Sequence, residues 1–316
     1  MHIPQIQITI RENAMQYTVD LTPPTMSALP SIASSSMLVE LSISVWTGRK
    51  QDKRASEEVV AANRADKGVA RVTKSLLGAC DELDALQKFA ANVRNSHYNS
   101  TLPWSDMGPR LLPTAKYFAY HKQFTALQDE FHRMVDAFIN AYDLEVAQAQ
   151  AKLGDLFDAR EYPNAEELRA KFAFRLNYIP LPDAGDWRLD IGNEALASLR
   201  SQYETHYKAQ LESAMKDIWT RLHDVLAMLS RQLSDKTEDG KTPKIFASVF
   251  DRALEVLDLM ETCNVTNDPN MQLMQRKLQQ AFRGVTVEAV KDDAHLRRQT
   301  KKSIDEAIKA LPSLDM

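Results

Sequence analysis

Glycine is scarce in this chain: nine residues in 316, and no two of them are spaced to form a loop that cradles phosphate. No Gly-x-Gly-x-x-Gly, no complete Walker motif and no Gly-x-Ser-x-Gly occurs, so dinucleotide binding, nucleotide hydrolysis and α/β-hydrolase chemistry lose their usual signatures. Cysteine is scarcer still. Cys80 and Cys263 lie inside apolar helical patterns far apart in the chain, which suits reduced thiols in a cytosolic protein better than a disulfide framework. Neither Cys-x-x-Cys nor His-Glu-x-x-His is present. No stretch approaches the roughly 18 uninterrupted apolar residues of a membrane span. The first ten residues, MHIPQIQITI, lack a basic region followed by an apolar core, so the sequence reads as cytoplasmic, with no membrane partner. An excess of one charge is also missing: 39 basic residues stand against 43 acidic ones, a net charge of −4, and any attraction to a polyanion must come from a local patch.

What the chain has instead is helix-forming residues, with Ala, Leu, Gln, Lys and Glu dominating the interior stretches. The first fifty residues differ, because their apolar period is two: Ile6, Ile8 and Ile10; Met15, Tyr17, Val19 and Leu21; then Met37, Val39, Leu41, Ile43 and Val45. That alternation predicts short strands. Beyond Gln51 the period becomes helical. Val69, Val72, Leu76, Ala79, Leu83, Leu86, Ala90 and Val93 alternate steps of three and four, which predicts one helix over about residues 52 to 95. An irregular segment, His97 to Pro113, comes next. Thr114 then caps a second helix, running to about Leu153, whose seam is Tyr117, Tyr120, Phe124, Leu127, Phe131, Met134, Phe138 and Ala141. A third runs from Asn193 to Leu233 through Leu211, Met215, Ile218, Leu222, Val225 and Leu229. At 1.5 Å per residue each segment is roughly 60 Å long, so the three can lie side by side.

Between the second and third helices, a short helix near Asn164 leads into Phe172, Phe174, Leu176 and Tyr178, and then Trp187, Leu189 and Ile191 alternate in the same way. Residues 172–191 therefore read as an antiparallel pair that joins the N-terminal strands in one small sheet. Three shorter helices fill the C-terminal quarter, over about 244–262, 269–283 and 286–310.

Few residues in this pattern can carry chemistry. A two-metal carboxylate site in a helical bundle needs Glu-x-x-His on two helices. The nearest approaches, Asp129-x-x-His132 and Asp292-x-x-His295, start from the shorter Asp and read as helix-surface residues, and so do His121 and His132. The aromatic seam of the second helix reads as core. Two basic clusters can touch phosphate or nucleic acid: Arg49, Lys50, Lys53 and Arg54 directly after Trp46, whose indole can stack on a base, and Arg297, Arg298, Lys301 and Lys302 on the last helix. Asp52 interrupts the first cluster, and Asp292 and Asp293 precede the second, as expected of a solvated helix face.

The strand Leu38-Val39-Glu40-Leu41-Ser42-Ile43-Ser44-Val45 ends in Trp46-Thr47-Gly48-Arg49-Lys50 ahead of a long charged segment, and this run resembles an uncharacterised bacteriophage family, a domain of unknown function. Glu161-Tyr162-Pro163 before a short helix that runs into Lys171-Phe172 adds to the likeness. So does Pro180-Leu181-Pro182 ahead of Asp186-Trp187-Arg188. The likeness covers residues 37 to 310 or so and leaves out the first strand-like stretch. It implies a phage-encoded intracellular protein and, because some members are encoded beside AAA+ ATPases of the MoxR or cobaltochelatase type, a partner of that kind. It supplies no catalytic residues.

The expected fold is thus mainly α: an elongated, coiled-coil-like bundle of long antiparallel helices with a small antiparallel sheet. Its regions are residues 1–50 (strands and linker), 51–235 (long-helix bundle with the inserted hairpin 172–191) and 236–316 (C-terminal helices packing on the bundle). The expected function is a non-enzymatic assembly or adaptor protein of the infected host cytoplasm, acting through helical contact with a protein partner or with itself. The alternatives are a nucleic-acid-associated protein of phage genome metabolism and a metal-dependent helical-bundle enzyme. No catalytic residue, metal or cofactor is assigned.

Overall fold

In the computed structural model, which describes residues 35–105, 108–181, 193–236, 243–264 and 268–312, the chain is mainly helical (68% helix) with small antiparallel sheets. The alternating residues Met37 to Ile43 form strand β1 (Ser36–Ser44), which pairs antiparallel with β4 (Arg110–Pro113) on one side and β5 (Ala173–Pro180) on the other. The register sets Val39 opposite Tyr178, Leu41 opposite Leu176 and Ile43 opposite Phe174, so the period of two gathers the apolar side chains on one face. The strand predicted from Phe172 to Tyr178 does join the N-terminal strand region in one sheet. Its expected hairpin partner, Trp187 to Ile191, and the expected strands between Ile6 and Leu21 lie outside the described residues. β4 was not foreseen, falling as it does in the segment read as irregular.

The sheet's apolar face covers a helical hairpin of α2 (Asp81–Ser100) and α3 (Tyr117–Leu153). The two run antiparallel, since His97 near the end of α2 meets Tyr120 near the start of α3, and Cys80 ahead of α2 meets Glu145 near the end of α3. Leu83, Leu86, Ala90 and Val93 form the buried stripe of α2. On α3 the stripe is Tyr120, Phe124, Phe131, Val135, Phe138, Tyr142 and Ala149, while Leu127 and Met134 flank the core half-buried. A straight helix turns every 3.6 residues, so burial drifts off a strict heptad over ten turns. Each buried Phe contributes about 1.5–3 kcal/mol. Gly154, at φ +52°, ends α3 and returns its amide to the Gln150 carbonyl.

The helix expected over residues 52 to 95 is not one rod. It is α1 (Lys53–Ala62), a turn, strand β3 (Val72–Ser75) and then α2. β3 pairs antiparallel with β2 (Arg49–Asp52), Arg49 opposite Ser75 and Asp52 opposite Val72. Gly68 and Gly78 sit at φ +89° and +66°, which closes off helical continuity at both ends of β3. Val69 and Ala79, counted in the seam, are exposed.

A capping box between Asn164 and Glu167 opens the short α4 (Ala165–Arg169). The third long segment is α5 (Asn193–Gln232), as its period predicts. The chain forms two compact units, one within residues 27–214 and one built on residues 215–316, and the division falls inside α5. In the second unit, α6 (Ala247–Cys263), α7 (Pro269–Phe282), α8 (Val287–Asp292) and α9 (Ala294–Lys309) bury Val249, Leu257, Met260, Met271, Leu278 and Ile304, among others, and the last portion of α5 buries Ile218, Leu222, Val225 and Leu229. The single helix expected over 286–310 is two, because Asp293 accepts the His295 and Leu296 amides and starts a new one. Among the described residues no helix is long and apolar enough to cross a membrane.

Candidate functional site

Three polar clusters lie within the unit of residues 27–214; two are turned inward, and the third runs from a buried Cys80 to an exposed Glu82. Lys74 on β3 reaches Glu161 Oε2 at 2.8 Å, Asp52 Oδ2 at 3.1 Å and the Leu156 carbonyl at 2.6 Å, with its side chain only 6% exposed. Burial pushes its ammonium pKa down, but the hydrogen bonds to Glu161 and Asp52 outweigh that and hold it above the ordinary lysine value. Lys74 thus donates to a main-chain carbonyl while two carboxylates balance its charge.

The second cluster is His97, buried between the two helices, with Nδ1 2.7 Å from the Tyr120 hydroxyl. Burial, helped by the charge of Arg110, pushes the imidazole down to about 4, and burial pushes the Tyr120 phenol up. Arg110 itself donates to the Thr101 hydroxyl and carbonyl and lies over the Tyr98 ring. The third cluster is Cys80, Glu82 and Glu145, with ligand atoms within 4.8 Å of one another. Burial first, then the two carboxylates, raise the Cys80 thiol, and Lys152 stands 4.0 Å from Glu145. Asp129, His132, Asp292 and His295, the residues of the nearest metal motifs, are all exposed.

From the His97 cluster a chain of ring contacts leads outward. Tyr120 meets Tyr178, Tyr178 meets Tyr117 edge-to-face at 5.1 Å, and Tyr117 meets Phe118 at 5.2 Å and stacks on His121. The His121 ring nitrogen lies 3.2 Å from the Tyr178 hydroxyl. This network ends in solvent: Phe118 is 81% exposed, and Tyr98, whose ring touches His97, is 51% exposed. The rings are held by the first turns of α3, the last turn of α2 and the end of β5, all rigid elements. Tyr117 and Tyr120 belong to the heptad seam of α3, whereas Phe118 sits one step off it, and its place beside the stripe in the first turn of the helix is the only signal the sequence carries for it.

The basic residues divide into two kinds. Arg297 and Arg298 both face Asp235, at 3.7 and 3.8 Å; Lys301 holds Asp305 at 2.6 Å and Lys302 holds Glu306 at 4.0 Å, so every cation of that cluster has a carboxylate. In the first cluster Lys50 faces Glu161 and Arg54 faces Glu58, while Arg49 and Lys53 are exposed and make no ion pair among the described residues. Trp46 packs on Phe138 and Tyr142, so its indole serves the core and is not set out for a base. In the second unit a groove of about 490 Å³ between α7 and α9 is lined by Arg283, Gln299, Ser303 and Glu306, among others, a mixture of charges with no reactive constellation.

No family model, no curated protein and no solved structure matches this chain.

Proposed function

We propose that the chain is a non-enzymatic adaptor or assembly protein that binds another protein through the aromatic surface where α3 begins. The observation that carries this reading is Phe118, a large apolar side chain four-fifths exposed at the end of a network of rings that leads back to the core. Aromatic residues anchored on rigid elements have the character of interface hot spots, because they offer apolar area at little cost in side-chain entropy. A partner that covers Phe118 gains about 1.5–3 kcal/mol from that residue alone. The two inward-turned polar clusters support the same reading, since Lys74 and His97 are buried and held by residues of the fold. The long helical faces and the resemblance to a bacteriophage family suggest the setting: an assembly in the host cytoplasm, with an AAA+ ATPase as a candidate partner.

The test is capture from cells of the natural host with the tagged chain, beside light scattering of the purified protein. The expected result is a stable complex, with a partner or with a second copy, that Phe118→Asp abolishes while the circular dichroism spectrum is unchanged. A strictly monomeric chain that captures nothing sinks the proposal, and so does a complex indifferent to Phe118→Asp.

A further inference from the structure

Residues 49–75 form a strand–helix–strand segment, β2–α1–β3, and carry eight Lys and Arg against four Asp and Glu in a chain whose net charge is −4. The fold sharpens this imbalance. Strand alternation puts Lys50, Asp52, Val72 and Lys74 on one face, where Lys74 holds Asp52 together with Glu161 from outside the segment. One of the four carboxylates is therefore turned inward, and a second, Glu58, is neutralised by Arg54. The opposite face presents Arg49, Gln51, Thr73 and Ser75, and Lys53 and Arg71 adjoin the two strands in the chain, directly after β2 and directly before β3. All six are exposed, and none is acidic.

Five cations of the segment, Arg49, Lys53, Arg64, Lys67 and Arg71, are exposed and make no ion pair among the described residues; only Glu57 and Asp66 remain unpaired to oppose them. Asp52 caps α1 by accepting the Ala55 amide, and Lys53 follows it in a first turn that has no further acidic residue to pair with it. An intramolecular role does not favour that placement, whereas a polyanion does. The C-terminal cluster differs in kind, its four cations being matched by carboxylates.

From this charge separation we infer that the outer face of β2–α1–β3 binds the phosphate backbone of duplex nucleic acid without reading its sequence. The segment contains no Trp, Tyr or Phe, and Trp46 beside it is packed into the core. Binding of single strands leans on aromatic stacking, so its absence selects the duplex, which has the denser phosphate charge. The hydroxyls and amide between the cations suit phosphate oxygens and supply no code for bases.

Fluorescence anisotropy of the full chain with a labelled duplex of roughly 30 base pairs tests this at salt from about 50 to 200 mM. Binding is expected to weaken with a log–log salt slope of about −3 to −4.5, corresponding to three to five phosphate contacts. Arg49→Gln/Lys53→Gln/Arg71→Gln is expected to reduce affinity at least about tenfold with unchanged circular dichroism, and Arg297→Gln/Arg298→Gln to leave it within about twofold. Three outcomes overturn the inference: no duplex binding at low salt, unchanged affinity in the triple variant, or equal affinity for anionic vesicles of phosphatidylglycerol. Since this face and the Phe118 surface are different residues, Phe118→Asp is expected to bind duplex as the parent does.

Discussion

Gly48 shows how one residue can carry a motif for structural reasons. It sits at φ +63°, and a Cβ built on it would lie 2.8 Å from Leu83 Cδ2 in the core, with the Trp46 ring at 3.7 Å. Its carbonyl accepts the Leu76 amide at 2.7 Å, which fixes the turn between β1 and β2. The Trp-x-Gly-Arg-Lys run is thus a packed indole, a left-handed turn and then solvent-facing cations. Gly48→Ala is expected to cost about 2 kcal/mol from the left-handed backbone together with overpacking, read as a lower urea midpoint at unchanged slope; an unchanged midpoint would mean that Leu83 yields freely. His97 makes a prediction of a different type. Its folded pKa of about 4 lies below the ordinary histidine value of 6.5, so below pH 6.5 the unfolded chain binds the proton first. The stability it protects is whole above pH 6.5 and is lost as pH falls toward 4, roughly 3 kcal/mol over that window. Carboxylates titrate at the lower end of the same range, so the check is a difference: the stability–pH curve of His97→Gln is expected to be flatter between pH 6.5 and 4 than that of the parent.

Among the elements, those whose apolar period agreed with their surroundings were legible in sequence. The aromatic stripe announced α3, the Leu211 to Leu229 stripe announced α5, and the alternations at Met37–Ile43 and Phe174–Tyr178 announced two strands of one sheet. The stretch from 52 to 95 was misread for a physical reason: steps of three and four at Val69, Val72 and Leu76 are met equally by residues on a turn and a short strand, and only pairing with Arg49–Asp52 decides between them. β4 hid because its four residues, Arg110-Leu111-Leu112-Pro113, are too few to show a period. The site was less legible than the fold. Exposure of Phe118 and the pairing state of each cation depend on residues brought from far along the chain, such as Glu161 beside Lys50 and Asp235 beside Arg297. Lys74 is the extreme case, a lysine that ties β3 to the two turns after α3 through Leu156 and Glu161. Lys74→Met is expected to lower the melting temperature by leaving Asp52 without its cation and Glu161 with only the half-exposed Lys50 at 3.7 Å, and the double variant Lys74→Met/Glu161→Gln is expected to melt above the single one. A double variant less stable than the single would show that the carboxylate has another essential partner.

On the scale of the whole chain, two compact units divide inside α5. Buried residues recur along that helix at helical spacing on both sides of the division, Tyr207, Leu211 and Ala214 before it and Ile218, Leu222 and Val225 after it. Periodicity alone therefore does not reveal the division. The consequence concerns cooperativity, because each unit carries its own buried set: Phe124, Phe131 and Phe138 with the sheet in one, and Leu257, Met260, Met271 and Leu278 in the other. Phe138 is fully buried, and Phe138→Ala is expected to destabilise its own unit by about 3–5 kcal/mol. Native-state hydrogen exchange reads this locally, so amides over Tyr117–Leu153 should exchange about a hundred- to a thousandfold faster while those of α6 to α9 keep their rates. If the α6 to α9 amides accelerate in step, the two units unfold as one cooperative block, and a partner bound at Phe118 would then protect the α6 to α9 amides as much as those of its own unit.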